Sequence, residues 1–258
     1  MKKKLLIVII IFLVIILGVG GHVLYTNIQK QKLIESIETI ATKMYELEGI
    51  DSYKIKYIEK AKYEGRDYSH NGVSSYDIKN QTIKREGTNT SYACSGEICK
   101  PIPEKYKGYG TFDGKTEIDY NYNEYEEIWE KNIYKIEEWE NLIDYSNLSE
   151  IEIFKDIKSA ELIKEENGIK EYKIIISKES IDENGDYSLE ELIDDATYKI
   201  QIKDNYIIRV ETDLSTWCND STREDYKNIK EIYEVYDFNQ TKVTIPEEVI
   251  NTAKEIEY

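Results

Sequence analysis

The sequence predicts an α+β protein: a curved antiparallel sheet with helices on its apolar face, preceded by an N-terminal transmembrane helix. Three observations lead to this expectation. An apolar run opens the chain, a helical repeat of apolar residues follows, and from Tyr53 the apolar period falls from about 3.6 residues to two.

Met1-Lys2-Lys3-Lys4 precedes an apolar run from Leu5 to Tyr25 that is interrupted only by glycines and His22. At about 1.5 Å per residue the run covers roughly 30 Å, enough to cross a bilayer. The leading lysines favour the cytoplasmic side. Residues 1–26 are therefore expected to form a cytoplasmic stub and anchor, and residues 27–258 one extracytoplasmic domain of a single-pass cell-membrane protein. A cleaved signal peptide is the alternative, because Gly18, Gly20 and Gly21 stand near the end of the run; either route exports the domain.

Without the three leading lysines the chain holds 31 basic residues against 51 acidic ones, a formal charge of −20. Such a surface argues against nucleic acid as a partner, since phosphate binding needs basic side chains. Apolar content is still 40%, and no Pro/Gly/Ser-rich linker divides the exported part, so one sizeable core is expected.

Leu33, Ile37, Ile40, Met44 and Leu47 recur at spacings of four and three, one stripe of a helix that Gly49 can end. The stripe packs on a sheet or, as the alternative, forms a short coiled-coil seam. Next, Tyr53, Ile55, Tyr57, Ala61 and Tyr63 alternate with Lys54, Lys56, Lys60 and Lys62, a half-buried strand. The pattern returns in Thr116, Ile118, Tyr120 and Tyr122 and in Tyr198, Ile200 and Ile202. Asp204-Asn205 then reads as a tight turn into Tyr206, Ile208, Val210, Thr212 and Leu214.

Asn167-Gly168 marks a second hairpin, between Ser159–Glu165 and Ile169–Ser177, and a further strand is expected over Ile229–Phe238. Ahead of the Asn167-Gly168 hairpin and after the Thr116–Tyr122 strand, Tyr125, Ile128, Trp129, Ile133, Ile136, Trp139 and Ile143 follow roughly helical spacing, so a middle helix is expected there and a short one over Leu148–Ile157. Pro246-Glu247-Glu248 fits a helix start. The total is about seven or eight strands with helices filling the curved face.

The exported cysteines are Cys94, Cys99 and Cys218. In Cys94-Ser-Gly-Glu-Ile-Cys99 the four intervening residues can close a hairpin, which makes Cys94 and Cys99 the disulfide candidate. Cys218 is left free, paired with either of them, or intermolecular. No metal site is expected, since the only histidines are His22 and His70. Asp182-Glu-Asn-Gly-Asp-Tyr resembles the start of a calcium loop, but Tyr187 stands where glycine is needed and Ile193 where a bidentate glutamate is needed. His70, within Asp67–Gly72, reads as part of a turn with no nucleophile-base pair around it. No catalytic residue and no cofactor are expected, and the chain reads as a non-enzyme.

Ala196-Thr-Tyr-Lys-Ile-Gln-Ile-Lys-Asp-Asn-Tyr-Ile-Ile-Arg-Val-Glu211, then Tyr233-Glu-Val-Tyr-Asp-Phe-Asn239 and Val243-Thr-Ile-Pro246, resemble in layout the paired and closing strands of the lipoprotein-carrier (LolA-like) superfamily. The resemblance implies an unclosed half-barrel whose concave face is covered by helices. It further implies a lipid or lipoprotein acyl chain as ligand; the N-terminal anchor, a departure from a diffusing carrier, would hold the domain at one membrane, where a membrane protein is a possible partner. A structural or protein-interaction module without a small-molecule ligand is the alternative. On the half-barrel reading the strand faces of Tyr53, Ile55, Tyr57, Ile118, Tyr120, Tyr198, Ile200, Ile202, Ile208 and Val210 pack the core or line the ligand cavity.

Overall fold

In the computed structural model, residues 25–63, 65–95, 98–113, 115–135, 148, 151, 153–184, 192–218 and 226–256 are described. The expected membrane span ahead of Tyr25 lies outside them, and among the described residues no helix is long and apolar enough to cross a membrane. Helix α1 covers residues 25–45. It buries Ile37, Ala41 and Met44, with Leu33 and Ile40 partly buried beside them, so the stripe read from the sequence does face a core. Leu47 and Gly49 take left-handed backbone angles of 54° and 72° and turn the chain into the sheet.

Among the described residues twelve strands follow: β1 (Ser52–Tyr63), β2 (Arg66–Asp77), β3 (Thr82–Ser95), β4 (Ile98–Phe112), β5 (Thr116–Asn123), β6 (Ile128–Lys135), β7 (Ile157–Glu166), β8 (Ile169–Ile176), β9 (Ala196–Lys203), β10 (Tyr206–Asp213), β11 (Tyr226–Tyr236) and β12 (Lys254–Glu255). They form one unclosed sheet in the order β12-β6-β5-β4-β3-β2-β1-β11-β10-β9-β8-β7. Neighbours run antiparallel, except that β12 joins β6 in parallel. Two meanders, β1 to β6 and β7 to β11, are thus joined where β1 pairs β11, with Ile55 opposite Val235 and Tyr57 opposite Tyr233.

The turn chemistry read from the sequence holds. Asp204 and Asn205 have φ of 50° and 64°, and Asn167 and Gly168 have 52° and 77°. Two successive left-handed residues match the right-handed strand twist in a two-residue hairpin. The C-terminal exit is tied down by Asn239. Its side chain accepts from Asp51 N–H at 2.6 Å and donates to the Gly49 carbonyl at 2.8 Å. Residues beyond it pass Asp77 and Thr82, which bond Val243, then form the short helix α2 (Glu247–Thr252) that Pro246 caps and reach the β6 edge.

Several expectations are corrected. The middle helix over Tyr125–Ile143 is, in its described part, a turn followed by β6: eight successive pairs with β5, from Thr116–Lys135 to Asn123–Ile128, fix it as a strand. Ile128, Trp129 and Ile133 fit either period, and long-range pairing decided between them. Residues 136–147 lie outside the described part. Of the helix expected over Leu148–Ile157, the described residues show Ile151 in helix and a 3-10 turn over Ile153–Lys155, and strand begins at Ile157. Asp67–Gly72, read as a turn, lies inside β2. A short helix spans Lys178–Asn184, so the calcium-like segment starts on helical backbone, and residues 185–191 lie outside the described part.

The core filling therefore comes from α1, from Leu148, Ile151 and Phe154, and from Ile181 of the short helix. Ile200 is 0% exposed at its centre. Ile200→Ala is expected to cost about 2 to 5 kcal/mol of stability. Lys199→Ala, exposed on the other face of the same strand, should change it by less than about 0.5 kcal/mol. Urea unfolding followed by tryptophan fluorescence checks both.

Candidate ligand-binding face

Register fixes which side chains share the face that α1 covers. Ile55 sits opposite Val235 and Tyr57 opposite Tyr233, and from Tyr233 the row passes in turn to Val210, Ile200 and Tyr172. This half is apolar and sealed. In the other direction the same face runs through His70, Gly72 and Ser74 on β2, Arg85, Gly87 and Asn89 on β3, and Tyr106, Gly108 and Gly110 on β4. It ends on Glu117, Asp119 and Asn121 of β5 and Asn132 of β6. This half is polar, and a depression of about 490 Å³ opens on it. Its walls are Tyr57, His70, Ser74, Arg85, Asn89, Tyr106 and Tyr233, with Gly72 in the floor.

Gly72 and Gly87 are cross-strand partners. A Cβ at either would meet the Tyr106 hydroxyl, at 2.1 Å and 2.3 Å. The phenol end of Tyr106 occupies the space that two missing side chains leave, so the ring lies along the sheet instead of standing off it. Its hydroxyl is 2.9 Å from His70 Nε2. Burial holds His70 below its ordinary value, opposed by Glu59, and burial pushes the Tyr106 phenol up. A neutral imidazole that accepts from a protonated phenol satisfies both.

Tyr57 meets His70 edge-on at 5.1 Å and Tyr233 at 4.9 Å. It is anchored by its hydroxyl, which donates to Glu59 Oε2 at 2.6 Å and lies 3.4 Å from Glu231 Oε1. On the other flank Arg85 Nη1 stands 4.0 Å from Asp119 Oδ1. Burial raises the Asp119 carboxyl above its usual range, with Arg85 pulling the other way. The Asp119 oxygen fills the space over Gly110. Among the described residues, Asn89 Oδ1, Asp119 Oδ1 and Asn132 Oδ1 are buried acceptors with no hydrogen-bond partner, and all three lie on this face.

No protein-family model and no curated protein matches the chain. Among solved structures, a DUF1329 family protein from Desulfovibrio piger ATCC 29098 is similar at a TM-score of 0.27 and 9% identity, over 83% of this chain and 95% of that one. Similarity at that level leaves the fold resting on the strand pairings themselves.

Of the residues named as cavity candidates, Tyr53, Ile55, Tyr198, Ile200, Ile202 and Val210 are buried in the core, and Tyr57 reaches the depression. Ile118 and Tyr120 are corrected to the opposite face. Glu117, Asp119 and Asn121 pair with Phe112, Gly110 and Gly108 and take the covered side, because a period of two does not say which face turns inward. Ile208 is also displaced. A bulge between Ile207 and Arg209 lets Ile207 take the buried place, and Ile208 lines a hollow of about 640 Å³ with Arg209 and Glu234.

Backbone register sets Cys94 opposite Cys99 in the β3–β4 hairpin, while their side chains lie outside the described part. Cys218 is buried. Sequence reasoning missed His70, Ser74, Arg85, Asn89 and Tyr106. The one signal for them was glycine recurring at alternate positions, Gly108 and Gly110, which marks a strand face that something approaches closely.

The lowered His70 value gives a pH dependence. Its contribution to stability is complete above the ordinary value of 6.5 and is lost as pH falls from there through the folded-state value. His70→Gln should flatten the loss of thermal stability across that acid range, as Tm measured against pH would show.

Proposed function

We propose that this chain is a non-enzymatic binding protein of the cell envelope, held at the membrane by the apolar run ahead of Tyr25, with a lipid- or lipoprotein-like amphipathic ligand on the uncovered half of its sheet. The depression walled by Tyr57, Tyr106 and Tyr233 supports this reading most directly. Tyrosine rings offer apolar surface, and Arg85, Ser74 and Asn89 beside them offer polar contacts, the mixture an amphipathic ligand requires. The unclosed antiparallel sheet with a helix on one face has the layout that the LolA-like resemblance implies. Because the described part of α1 follows directly on the apolar run, an anchor there would keep the domain close to the bilayer.

Of the rows expected from the sequence on β1, β5, β9 and β10, this reading keeps Tyr57 of β1 and adds Tyr106 of β4 and Tyr233 of β11. The filled apolar rows also favour a second reading, an interaction module of the envelope without a small-molecule ligand. Native mass spectrometry of the full chain, exchanged through several detergents, separates the two. A lipid retained in stoichiometric amount and lost in Arg85→Gln and Tyr106→Ala supports the binding reading; no retained or re-bound lipid moves the function to protein partners.

A further inference from the structure

Resting on the ligand-binding reading of the same face, we infer that the depression recognises a neutral, hydroxyl-rich saccharide, presented as a glycolipid head group or as a free glycan. The floor is built from three cross-strand pairs on β2 and β3: Ser74 with Arg85, Gly72 with Gly87, and His70 with Asn89. Polar pairs flank a flat one, and the Tyr106 ring end lies over the flat one. The outer pairs are four residues apart, about 13 Å at the strand rise, which is room for two linked pyranose rings.

The hydrogen-bonding groups alternate in kind. Arg85 and Ser74 bring donors, and Asn89, whose Oδ1 has no hydrogen-bond partner, brings an acceptor, with the Tyr106 hydroxyl between them. A hydroxyl donates and accepts at once, so a row of hydroxyls matches such a mixture. An acyl chain would leave these groups unsatisfied, and a phosphate would suit Arg85 while facing the Asn89 oxygen, with the Asp119 carboxyl behind Arg85. Among the described residues of the wall Arg85 is the one cation, Asp119 stands beside it and the chain's formal charge is −17, so the wall offers an anion little net positive charge. The C–H face of a pyranose, lying against Tyr106 between Tyr57 and Tyr233, buries apolar surface without a charge.

The test is binding of the full chain in detergent to a microarray of neutral and amino-sugar glycans. In parallel, short-chain glycosyl diacylglycerol and short-chain phosphatidylglycerol are titrated by tyrosine and tryptophan fluorescence. Binding to array glycans or to the glycosyl lipid is expected, weakened about tenfold by Tyr106→Ala. Arg85→Gln and Ser74→Ala should weaken it too, while Lys199→Asp, exposed on the other face, leaves it unchanged. If Tyr106→Ala fails to fold, the Arg85 and Ser74 variants carry the test, with Tyr106→Phe expected to retain binding through its ring. Glycan binding indicates a free saccharide, and binding of the glycosyl lipid alone indicates a head group; both support the proposal. Equal uptake of both lipids without glycan binding overturns the saccharide and leaves the lipid reading standing. No binding of any probe overturns both, and saccharide binding untouched by all three site variants overturns this location.

Discussion

The pairing of β1 with β11 is the constraint on which the rest of the structure depends. Every other pairing among the long strands joins strands consecutive in the chain, whereas this one brings Ile55 opposite Val235 and Tyr63 opposite Tyr226 across most of the domain. Closing so long a loop costs entropy that local hairpins do not pay. The cost is met by burial: Tyr53, Ile55 and Val235 at this seam are all nearly sealed from solvent. Asn239, gripping the Gly49–Asp51 corner just beyond the seam, fixes where the last long strand may end.

Joining two meanders at one seam gives a sheet too wide for its helices. Helix α1 and the Phe154 turn cover β7 to β11 and the start of β1, where the side chains are isoleucine and tyrosine. Beyond β1 the same face changes character within two strands, to His70, Ser74, Arg85, Asn89 and then Asp119 and Asn132. The chain has few apolar residues to put there, and four glycines replace bulk: Gly72, Gly87, Gly108 and Gly110. Tyr106 and the Asp119 carboxylate lie down into the space they leave. The depression is thus a consequence of sheet width and of glycine, and its polar groups are held in a partly buried setting where each hydrogen bond matters more than at the surface. On the opposite face, Tyr120, Val243 and Val249 are buried outside the main core as the C-terminal segment crosses toward β6, which lets one face stay open while the other is strapped.

Much of the fold was legible because its signals are local. The stripe of α1, the alternation in β1, β5 and β9, the two left-handed hairpins and the Pro246 helix start depend on neighbours only a few residues away. The strands of the site were not legible. In β2 to β4 serine, asparagine, glycine and lysine alternate with little hydrophobic contrast, so a periodicity argument has nothing to grip, and a His-containing stretch passed for a turn. Trp129 and its neighbours show the reverse failure, an apolar spacing that suited a helix until eight pairs with β5 overrode it.

By itself the sequence determined the element types wherever apolar period and turn residues agree, the acidic character of the surface, and which residues of β1 and β9 would be buried. It also made Cys94 and Cys99 candidates to stand opposite one another in a hairpin, which the backbone register bears out. Only the tertiary structure decided the β1–β11 seam, the inward face of β5, the bulge that exchanged Ile207 for Ile208, and the gathering of Tyr57, His70, Arg85, Asn89 and Tyr106 in one place. The physical reason is the same in each case. A strand carries its period in its own residues, but its register, its inward face and its neighbours are set by free energy gained in contact with distant strands, which no local window contains.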